Sequence, residues 1–521
     1  MIIEAIFIVL FTVFLIKYLN YYKKLSKWKK YYTVTREQFL NQLPIKIPLI
    51  NPYGIEDGIQ EELRLSKKHA MVAKCTGNLF RLVILDRKIA HECFVVKKNN
   101  FTKPIELYKV LQHEYGSNIV ISNGDDWKNH RRFAEPAFTK DKLSYLAEVT
   151  HKTTNEMLDF VKRETDNYKK PFDICEHSAR LTISIIATAA WGRNLDMFAE
   201  KPPTLENGHQ FSLYEAAHID STTGVFYQYL VPDIVDTILK KLPFKNIGQH
   251  FQRVHDEMFG YLTEFWKERK EDIEQGKDVP DDLMSFFIKG RSADGKPLTK
   301  NQIISNEHIL LIAGHETSST AMGFILYELA RKPELQEAIF KTLDQFDHEP
   351  NLEDYIQGRL TLLKNCMKEG LRLYPPVVHI PKRATKTVKV TDVNGKEHKI
   401  HKGHMANVNV HALHHDERSW GPDVEEYNPY RFEKPIPQGA YMPFSSGPRK
   451  CIGFEFSYIE VTMILATIFS KFTLSLDPAL GKDYAPKPKT GLTRAADRVP
   501  LIFHPRASPA KWVKKTNEPK I

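Results

Sequence analysis

One cysteine, Cys451, lies in a glycine-rich, basic loop whose composition suits a reactive thiolate. The stretch is FSSGPRKCIGFE, residues 444–455. Glycine on both sides, at Gly447 and Gly453, lets the backbone turn tightly and approach another group closely. Arg449 precedes the sulfur by two residues, and a nearby cation favours the thiolate over the thiol. The loop therefore predicts a thiolate with a chemical role.

A second candidate site lies in the middle of a long apolar stretch. The segment AGHETS, residues 313–318, contains a glycine that lowers helix stability by about 1 kcal/mol relative to alanine, which suggests a ligand pressed against the backbone. The Thr317 hydroxyl can hydrogen-bond the carbonyl of Ala313. Glu316 is an acid in apolar surroundings, which is costly unless it is paired or takes part in chemistry. By itself, the segment is better explained as a buried helix with a few polar residues.

Charged residues at suggestive spacings occur in three further segments. Glu369 and Arg372 are three residues apart and share a helix face. Arg431 lies in a loop between prolines. Trp127 and Arg131 are four apart and would project from one side of a helix. Their indole N–H and guanidinium could hold a buried anionic group, or could form a plain cation–π pair.

The element that must position the AGHETS segment is a helix predicted from Thr299 to Lys332. Thr299 and Gln302 form a capping box at its start, and Pro333 ends it. About 31 helical residues span roughly 47 Å. The middle of this helix is apolar on nearly all sides, which predicts that it runs through the core of a large domain.

Short β segments accompany the helices. Alternating apolar residues predict strands at 79–85 and 388–393, a turn at Asn394-Gly395, and a strand at 399–410 that completes a hairpin. Repeats and internal linkers are not evident after residue 54. We predict a mainly α fold with small β-sheets, organised as one large domain over residues 55–521.

Bulk composition limits the class of protein. The chain has 521 residues, a formal net charge of +10 and a pI of about 9.0. Its five cysteines are scattered and include no CxxC pair, which favours a reducing compartment and argues against a zinc site. A basic surface can meet nucleic acid, membrane or an acidic protein. Since no nucleic-acid-binding motif is evident, we expect no nucleic-acid partner.

The N-terminal segment predicts a membrane anchor. Residues 5–16 are 12 uncharged residues, all apolar but Thr12, and with their flanks they approach the roughly 20 residues that span a bilayer. The following KKLSKWKK carries five lysines, which predicts that the remainder stays cytoplasmic. The basic n-region and small-residue cleavage site of a secretory signal are missing. We assign 1–22 to a single transmembrane anchor and 23–54 to a basic, proline-rich hinge.

Taken in order, these segments resemble the cytochrome P450 haem-thiolate monooxygenases. The order is W-x-x-x-R, A-G-x-E-T, E-x-x-R, Y-N-P-x-R-F and F-x-x-G-x-R-x-C-x-G. The last motif is filled without a gap by Phe444, Gly447, Arg449, Cys451 and Gly453. The anchor and hinge resemble the microsomal, eukaryotic form, and the stretch NIVISNGDDWKNHRR resembles fungal members. The resemblance implies the cytochrome P450 fold, with the long central helix over the haem.

The resemblance also implies residue roles at the cofactor, haem b. Cys451 would be the axial thiolate ligand of the haem iron. Phe444 would pack beside the sulfur, and Gly453 would let the loop lie close under the porphyrin. The partners of the haem propionates would be Trp127, Arg131, Arg383 and Arg449, with His130 as a further candidate.

Five other residues take roles from the same resemblance. Glu316 and Thr317 resemble the acid–alcohol pair over the haem, where the alcohol hydrogen-bonds dioxygen and the acid relays protons. Members that rearrange peroxides commonly depart at this pair, so its presence favours monooxygenation. Glu369, Arg372 and Arg431 resemble a buried charge cluster with a structural role.

Partners and substrate follow from the same reasoning. The sequence contains no flavin- or NADPH-binding segment, so we expect electrons from a separate NADPH–cytochrome P450 reductase at the endoplasmic reticulum membrane. By analogy, the substrate pocket is lined by residues 101–121, 211–229, 309–317, 377–380 and 491–493. Apolar members such as Phe226, Val378 and Ile380 favour a lipophilic substrate, while His379 and Lys382 could meet a polar group. Two alternatives stay open, a haem-thiolate isomerase or dehydratase that needs no O2, and a non-enzymatic membrane-anchored haem sensor.

Overall fold

The structure is a computed structural model that describes residues 54–76, 79–108, 116–199, 211–220, 241, 246–292, 295–481, 483–490 and 493–516. The predicted anchor at 1–22 and nearly all of the predicted hinge at 23–54 lie outside the described residues. So do residues 109–115, 221–229 and 491–492 of the predicted substrate-lining stretches, including Phe226.

Helices dominate the described regular structure. They are α1 Gly54–Ser66, α2 Arg87–His91, α3 Gly124–Ala134, α4 Lys140–Glu164, α5 Ile174–Trp191, α6 Leu213–Ile219, α7 Ile247–Glu274, α8 Leu283–Lys289, α9 Lys300–Ala330, α10 Pro333–Leu343, α11 Leu352–Ile356, α12 Thr361–Leu373, α13 Val410–His414, α14 Glu417–Trp420, α15 Phe454–Phe469 and α16 Lys511–Thr516. The strands are β1 Met71–Thr76, β2 Leu79–Ile84, β3 Phe101–Thr102, β4 Phe172–Asp173, β5 His379–Ala384, β6 Val388–Thr391, β7 Glu397–Ile400, β8 Met405–Asn409, β9 Phe472–Leu476, β10 Pro488–Thr490, β11 Arg494–Ala496 and β12 Pro500–Pro505. The prediction of a mainly α fold with small sheets is confirmed.

The chain forms two compact units. Of the described residues, the first unit contains those within 54–104, 378–426 and 436–450. The second unit contains those within 105–377, 427–435 and 451–516. Most of the helices, α9 among them, belong to the second unit.

A five-stranded sheet organises the first unit. Its strand order is β1-β2-β8-β5-β3, in which β2 and β8 run parallel and the other neighbours run antiparallel. Leu82, Ile84 and Val408 contribute buried side chains to the core beside it. This sheet fixes β5, the strand that carries the predicted haem partner Arg383.

The predicted strand at 399–410 is in fact two strands. β6 and β7 form the predicted hairpin around Asn394-Gly395, with Val388 opposite Ile400. The chain then turns at Gly403, whose φ is +81°, and β8 joins the larger sheet between β2 and β5. The prediction of one continuous strand was wrong because the left-handed conformation at Gly403 interrupts it.

The central helix of the second unit follows the prediction. α9 begins after Thr299, which forms a capping box with Gln302, and ends before Pro333. Its side chains are buried on nearly all sides, as at Leu311 and Leu326. Among the described residues, it is the one helix long and apolar enough to cross a membrane, but most of that apolar stretch is buried inside the protein. It is therefore a core helix, as its composition predicted.

Candidate functional site

The cysteine loop turns through two left-handed residues before the sulfur. Ser445 has a φ of +63° and Gly447 a φ of +70°. A Cβ atom at Gly447 would lie 2.1 Å from the carbonyl oxygen of Phe94. Conformation and space both require glycine here, because the obstructing atom belongs to the backbone. The close approach predicted for Gly447 is thus an approach to Phe94. Gly453 differs, since a Cβ there would make only an ordinary 3.8 Å contact with the ring of Phe138.

Cys451 is exposed, unlike the three other cysteines whose side chains the structure describes. Cys93 and Cys366 are buried, Cys175 is partly buried, and none of the four forms a disulfide. Burial raises the pKa of the Cys366 thiol to about 12 and that of Cys175 to about 12. Those thiols stay protonated at neutral pH. Cys451 is exposed and lies just before α15.

The middle of α9 opens on one side. Ala313 is exposed, and Gly314 and Thr317 are half-buried, although the helix is buried on either side of them. The Thr317 hydroxyl donates to the Ala313 carbonyl at 2.7 Å, as predicted. A Cβ at Gly314 would lie 2.2 Å from Cδ1 of Ile186 on α5. Close packing of the two helices explains this glycine, so a ligand against the backbone is not needed to account for it.

Glu316 is held at the edge of this open face. Its Oε1 accepts from the Thr493 hydroxyl at 3.2 Å, and that hydroxyl lies 3.2 Å from the Thr320 hydroxyl. Its Oε2 is buried and has no hydrogen-bond partner among the described residues. The preceding His315 is fully buried, and burial lowers its pKa, although the Glu316 carboxylate acts in the opposite direction. The acid therefore has one anchored oxygen and one buried oxygen without a hydrogen-bond partner among the described residues.

Glu369, Arg372 and Arg431 come together in the second unit. Arg372 on α12 donates from Nε to Glu369 Oε2 at 2.7 Å and from Nη2 to Oε1 at 2.8 Å. Arg431 donates from Nε to Glu369 Oε1 at 3.2 Å, and the backbone N–H of Asn428 donates to the same oxygen at 2.9 Å. The side chains of Glu369 and Arg372 are inaccessible to solvent, and that of Arg431 is 9% exposed. One carboxylate thus accepts from two buried guanidinium groups and fixes the segment around residue 430 to α12.

The residues predicted on α3 have separate surroundings. Arg131 donates from Nε to Glu135 Oε1 at 3.0 Å, one helical turn along. Trp127 is half-buried and packs against the core of the second unit. His130 is buried with Nδ1 2.8 Å from Nδ2 of Asn306 on α9. Burial lowers the pKa of His130 to about 4. Its neutral ring joins α3 to α9, which argues against a role as a propionate partner.

On β5, the structure distinguishes two neighbouring cations. The Nη1 of Arg383 donates to the carbonyl of Gly403 at 2.6 Å. Lys382 projects from the other face, since successive side chains of a strand alternate. It is buried, at 8% exposure, with Nζ 4.9 Å from the centre of the Phe94 ring. Burial first, and the charge of Arg449 second, lower the pKa of Lys382 to about 8. The charge of Arg449 therefore reaches Lys382. Phe444, half-buried, lies earlier in the same loop.

Sequence reasoning missed part of this arrangement. Lys103 was not singled out, although Arg449 and Lys382 both act on it and it lies directly after β3. His379, suggested as a polar contact for substrate, has its Nε2 2.6 Å from Oε2 of the buried Glu62 on α1. The positions of the Lys103 and His379 side chains depend on strand register, and register depends on pairing between distant segments.

The comparisons with known proteins agree with this arrangement of motifs. The chain is 27% identical to the human ultra-long-chain fatty acid omega-hydroxylase over 476 residues, which cover 86% of this chain and 85% of that one. It is 27% identical to cytochrome P450 monooxygenase 124 of Postia placenta over 423 residues, 78% of this chain and 80% of that one. It is 28% identical to cytokinin hydroxylase of Arabidopsis thaliana over 385 residues, 73% and 69% of the two chains. Relatives of similar identity thus come from animal, fungus and plant, and a fungal origin stays a prediction. The family model described as Cytochrome P450 matches residues 58–502, most of the chain, and the chain belongs to that family.

Proposed function

We propose that this chain is a haem-thiolate monooxygenase that inserts one oxygen atom from O2 into a lipophilic substrate. As a cytochrome P450 it is an oxidoreductase, and relatives that bear the names hydroxylase and monooxygenase support oxygen insertion. The balanced reaction is RH + O2 + NADPH + H+ giving ROH + H2O + NADP+. The observation that carries the proposal is the exposed Cys451 in an uninterrupted family motif.

The described residues fit a haem. The thiol that would bind the iron is exposed, the middle of α9 opens around Ala313, and cations gather near Arg449. Bound haem iron with an axial thiolate supplies the electron density that favours O–O cleavage. Cys451 would be the ligand, Arg449 would pair with a propionate, and Phe444 and Gly453 would border the porphyrin. Trp127, Arg131 and Arg383 remain proposed partners of the propionates, and 55–521 remains the proposed catalytic domain.

Proton handling is assigned to Thr317 and Glu316. The Thr317 hydroxyl donates its hydrogen bond to the Ala313 carbonyl. The lone pairs of the hydroxyl oxygen can then accept a hydrogen bond from a bound group. Glu316 keeps Oε1 on Thr493 and has Oε2 to take up and return a proton. A carboxyl group with one hydrogen-bonded oxygen and one unbonded oxygen supports a reaction that consumes protons, as oxygen insertion does.

The electron donor and location are part of the proposal. No flavin- or NADPH-binding segment is evident in the sequence, so electrons would come from NADPH through a separate NADPH–cytochrome P450 reductase. The net charge of +10 suits docking to an acidic flavodomain. With the predicted anchor at 1–22, we place the enzyme at the endoplasmic reticulum membrane with its catalytic domain cytoplasmic. A lipophilic substrate is supported by a relative named as a fatty acid hydroxylase.

The first test is the reduced carbon monoxide difference spectrum of the purified chain, beside Cys451→Ser. We expect a strongly red-shifted Soret band in the wild type that the variant lacks, because serine provides no thiolate. The same histidine-type spectrum in both proteins would refute thiolate ligation.

Turnover with a reconstituted reductase then separates the alternatives. Monooxygenation requires both NADPH and O2, product without either would indicate the isomerase or dehydratase, and no turnover or substrate-induced spin shift with any lipophilic compound would indicate the sensor.

A further inference from the structure

The side-chain amide of Asn306 on α9 joins three segments of the second unit. Asn306 is inaccessible to solvent, and its Oδ1 accepts from the backbone N–H of Ile119 at 2.9 Å. Its Nδ2 donates to the Gln302 carbonyl at 2.7 Å and lies 2.8 Å from Nδ1 of His130 on α3. Because burial lowers the pKa of His130 to about 4, the ring is neutral at pH 7 and Nδ1 can accept this bond. Asn306 therefore ties both α3 and the chain around Ile119 to α9.

The segment that Asn306 holds is a tight turn over residues 116–122. Oδ1 of Asn118 accepts from two backbone N–H groups further along the turn, at 3.0 and 3.2 Å, which fixes the shape of the turn from within. The 2.9 Å bond to Asn306 connects the turn to α9. A longer bond, at 3.4 Å, joins Nδ2 of Asn118 to the hydroxyl of Ser305. The position of the turn against α9 therefore depends on Asn306 more than its internal shape does.

Asn306 belongs to the side of α9 that leads to the candidate reaction site. With 3.6 residues per turn, Asn306, Leu310, Ala313 and Thr317 lie on one side of the helix. The seven residues from Asn306 to Ala313 span about 10 Å. This side of α9 is buried at Asn306 and Leu310 and becomes exposed at Ala313. The turn that Asn306 holds therefore borders the open face of α9.

A lipophilic substrate that reaches Thr317 would pack beside this turn, whose central residues Ile119, Val120 and Ile121 are apolar. Such a wall selects substrates by shape only while neighbouring side chains hold it in place. We propose that Asn306 is a positioning residue that holds residues 116–122 as a fixed wall of the substrate pocket. It thereby determines which shapes of lipophilic substrate reach the open face of α9. The inference rests on the proposed function, since it requires a substrate pocket over that face.

Gln336 on α10 provides a matched control. It is also a buried amide that ties a helix to a distant segment, since it donates to the Leu474 carbonyl and accepts from the Leu474 N–H, both at 2.9 Å. It also donates to the Leu329 carbonyl at 2.8 Å, about 24 Å along α9 from Ala313. Loss of either amide should lower stability. An effect confined to the Asn306 variant therefore reports on the turn.

The first measurement is hydrogen–deuterium exchange by the full-length, haem-loaded wild type, Asn306→Leu and Gln336→Met. Leucine and methionine keep the approximate size of the two amides and remove their hydrogen bonds. We expect peptides that cover residues 116–122 to exchange roughly 10-fold faster in Asn306→Leu, because the Ile119 N–H loses its acceptor, and at the wild-type rate in Gln336→Met. Asn306→Asp keeps an acceptor for that N–H and should retain most of the protection.

The second measurement tests selection by shape with alkylimidazoles, which bind haem iron through nitrogen and shift its Soret band. 1-Octylimidazole, 1-(6-methylheptyl)imidazole and 1-(2-ethylhexyl)imidazole are isomers, so they have similar hydrophobicity and different shapes. Their Kd values should differ by about 10-fold in the wild type and by less than about 3-fold in Asn306→Leu. Gln336→Met and Asn306→Asp should keep the wild-type spread of Kd values.

Three outcomes would overturn the proposal. They are unchanged exchange of the turn in Asn306→Leu, a spread of Kd values that is narrow in the wild type or unchanged in Asn306→Leu, and an equal loss of that spread in Gln336→Met. If Asn306→Leu does not retain haem, Asn118→Ala takes its place. It loosens the same turn without altering α9, and the same two changes are expected.

All of these outcomes leave the proposed function intact, provided the wild type shows the thiolate band in its carbon monoxide difference spectrum. A wild-type protein without that band would overturn the proposed function and, with it, the role of Asn306.

Discussion

Replacement of Glu369 by glutamine should destabilise the second unit strongly. Glutamine preserves the shape of the side chain but removes the negative charge that Arg372 and Arg431 share. The two guanidinium groups would then stay buried beside a neutral amide. Arg372 donates a hydrogen bond to each of the two carboxylate oxygens. In glutamine one of those oxygens becomes an NH2 group, which is a donor and cannot accept a hydrogen bond from Arg372.

The size of the effect follows from burial. Removal of one partner from a buried ion pair costs about 3–5 kcal/mol, because the remaining charge is left uncompensated. The upper half of that range applies here, since one carboxylate serves two arginines. With a urea slope of about 3 kcal/mol per molar or more for a chain of this size, the unfolding midpoint should fall by roughly 1 M.

The assay is urea unfolding of the haem-loaded protein at pH 7, followed by tryptophan fluorescence. Midpoints are compared, because a chain with two compact units need not unfold in one step. Asp125→Asn is the control, since it removes the acid of an (i, i+3) pair with Lys128 whose side chains are 87% and 69% exposed, and the midpoint should not move. The triple variant Glu369→Leu, Arg372→Met, Arg431→Met should recover much of the loss, because it removes the buried charges together. A Glu369→Gln midpoint within ~0.2 M of the wild type would refute the reasoning.

Three further predictions test individual contacts. Gly314→Ala should destabilise the protein by about 1–3 kcal/mol through its contact with Ile186, and less in an Ile186→Ala background, as judged by thermal unfolding of the four proteins; equal losses in both backgrounds would contradict the packing explanation. Gly447→Ala should sharply reduce the haem-to-protein ratio after purification, because neither its φ of +70° nor the carbonyl of Phe94 can adjust, and a full haem complement would disprove this. Burial lowers the pKa of His130 in the folded protein to about 4, from an ordinary 6.5. As the pH falls, the unfolded chain therefore takes up the proton first. Between pH 6.5 and pH 4 the free energy of unfolding of the wild type should decrease by up to ~1.4 kcal/mol per pH unit. Urea midpoints at pH 7 and pH 5 should show that His130→Gln lacks this loss, and an unchanged pH dependence would count against it.

Local signals predicted the helical framework well. The apolar period, the capping box at Thr299 and Pro333 were enough to bound α9, because each acts within one or two turns of the helix. The hairpin around Asn394-Gly395 followed from turn chemistry for the same reason. The break at Gly403 was missed, since glycine permits a left-handed conformation without requiring one.

Lys382 and Arg383 mark the limit of sequence reasoning at the site. They are adjacent cations, and a shift of one residue moves a side chain to the opposite face of the strand. The register of β5 is set by β8 and β3, which lie before and after it in the sheet and far from it in the chain. Composition cannot say which of the two cations faces Arg449. The strand pairing buries Lys382 where the charge of Arg449 acts on it, and Arg383 stays a proposed partner of the haem propionates.

The acids of α9 show the same dependence on distant contacts. Glu307 and Glu328 lie in the same apolar helix as Glu316. Glu307 accepts from the indole N–H of Trp191 on α5, and Glu328 accepts from the Tyr374 hydroxyl at 2.5 Å. Burial raises the pKa of both carboxyl groups, well above the ordinary value in Glu307.

A carboxyl group that relays protons needs an oxygen that can reach the reacting group, as well as a setting in which charge is costly. Glu307 and Glu328 lie where charge is costly, but neither has an oxygen that reaches an open face. Each is buried against a side chain from another segment, Trp191 at the end of α5 or Tyr374 just after α12. Glu316 adjoins the face on which Ala313 is exposed, and Thr493 fixes only one of its oxygens. The helix period of 3.6 residues places Glu307, nine residues earlier, on the opposite side from Glu316. The case for Glu316 as the proton-relaying acid therefore rests on where α9 opens, and an apolar sequence context alone would have nominated all three.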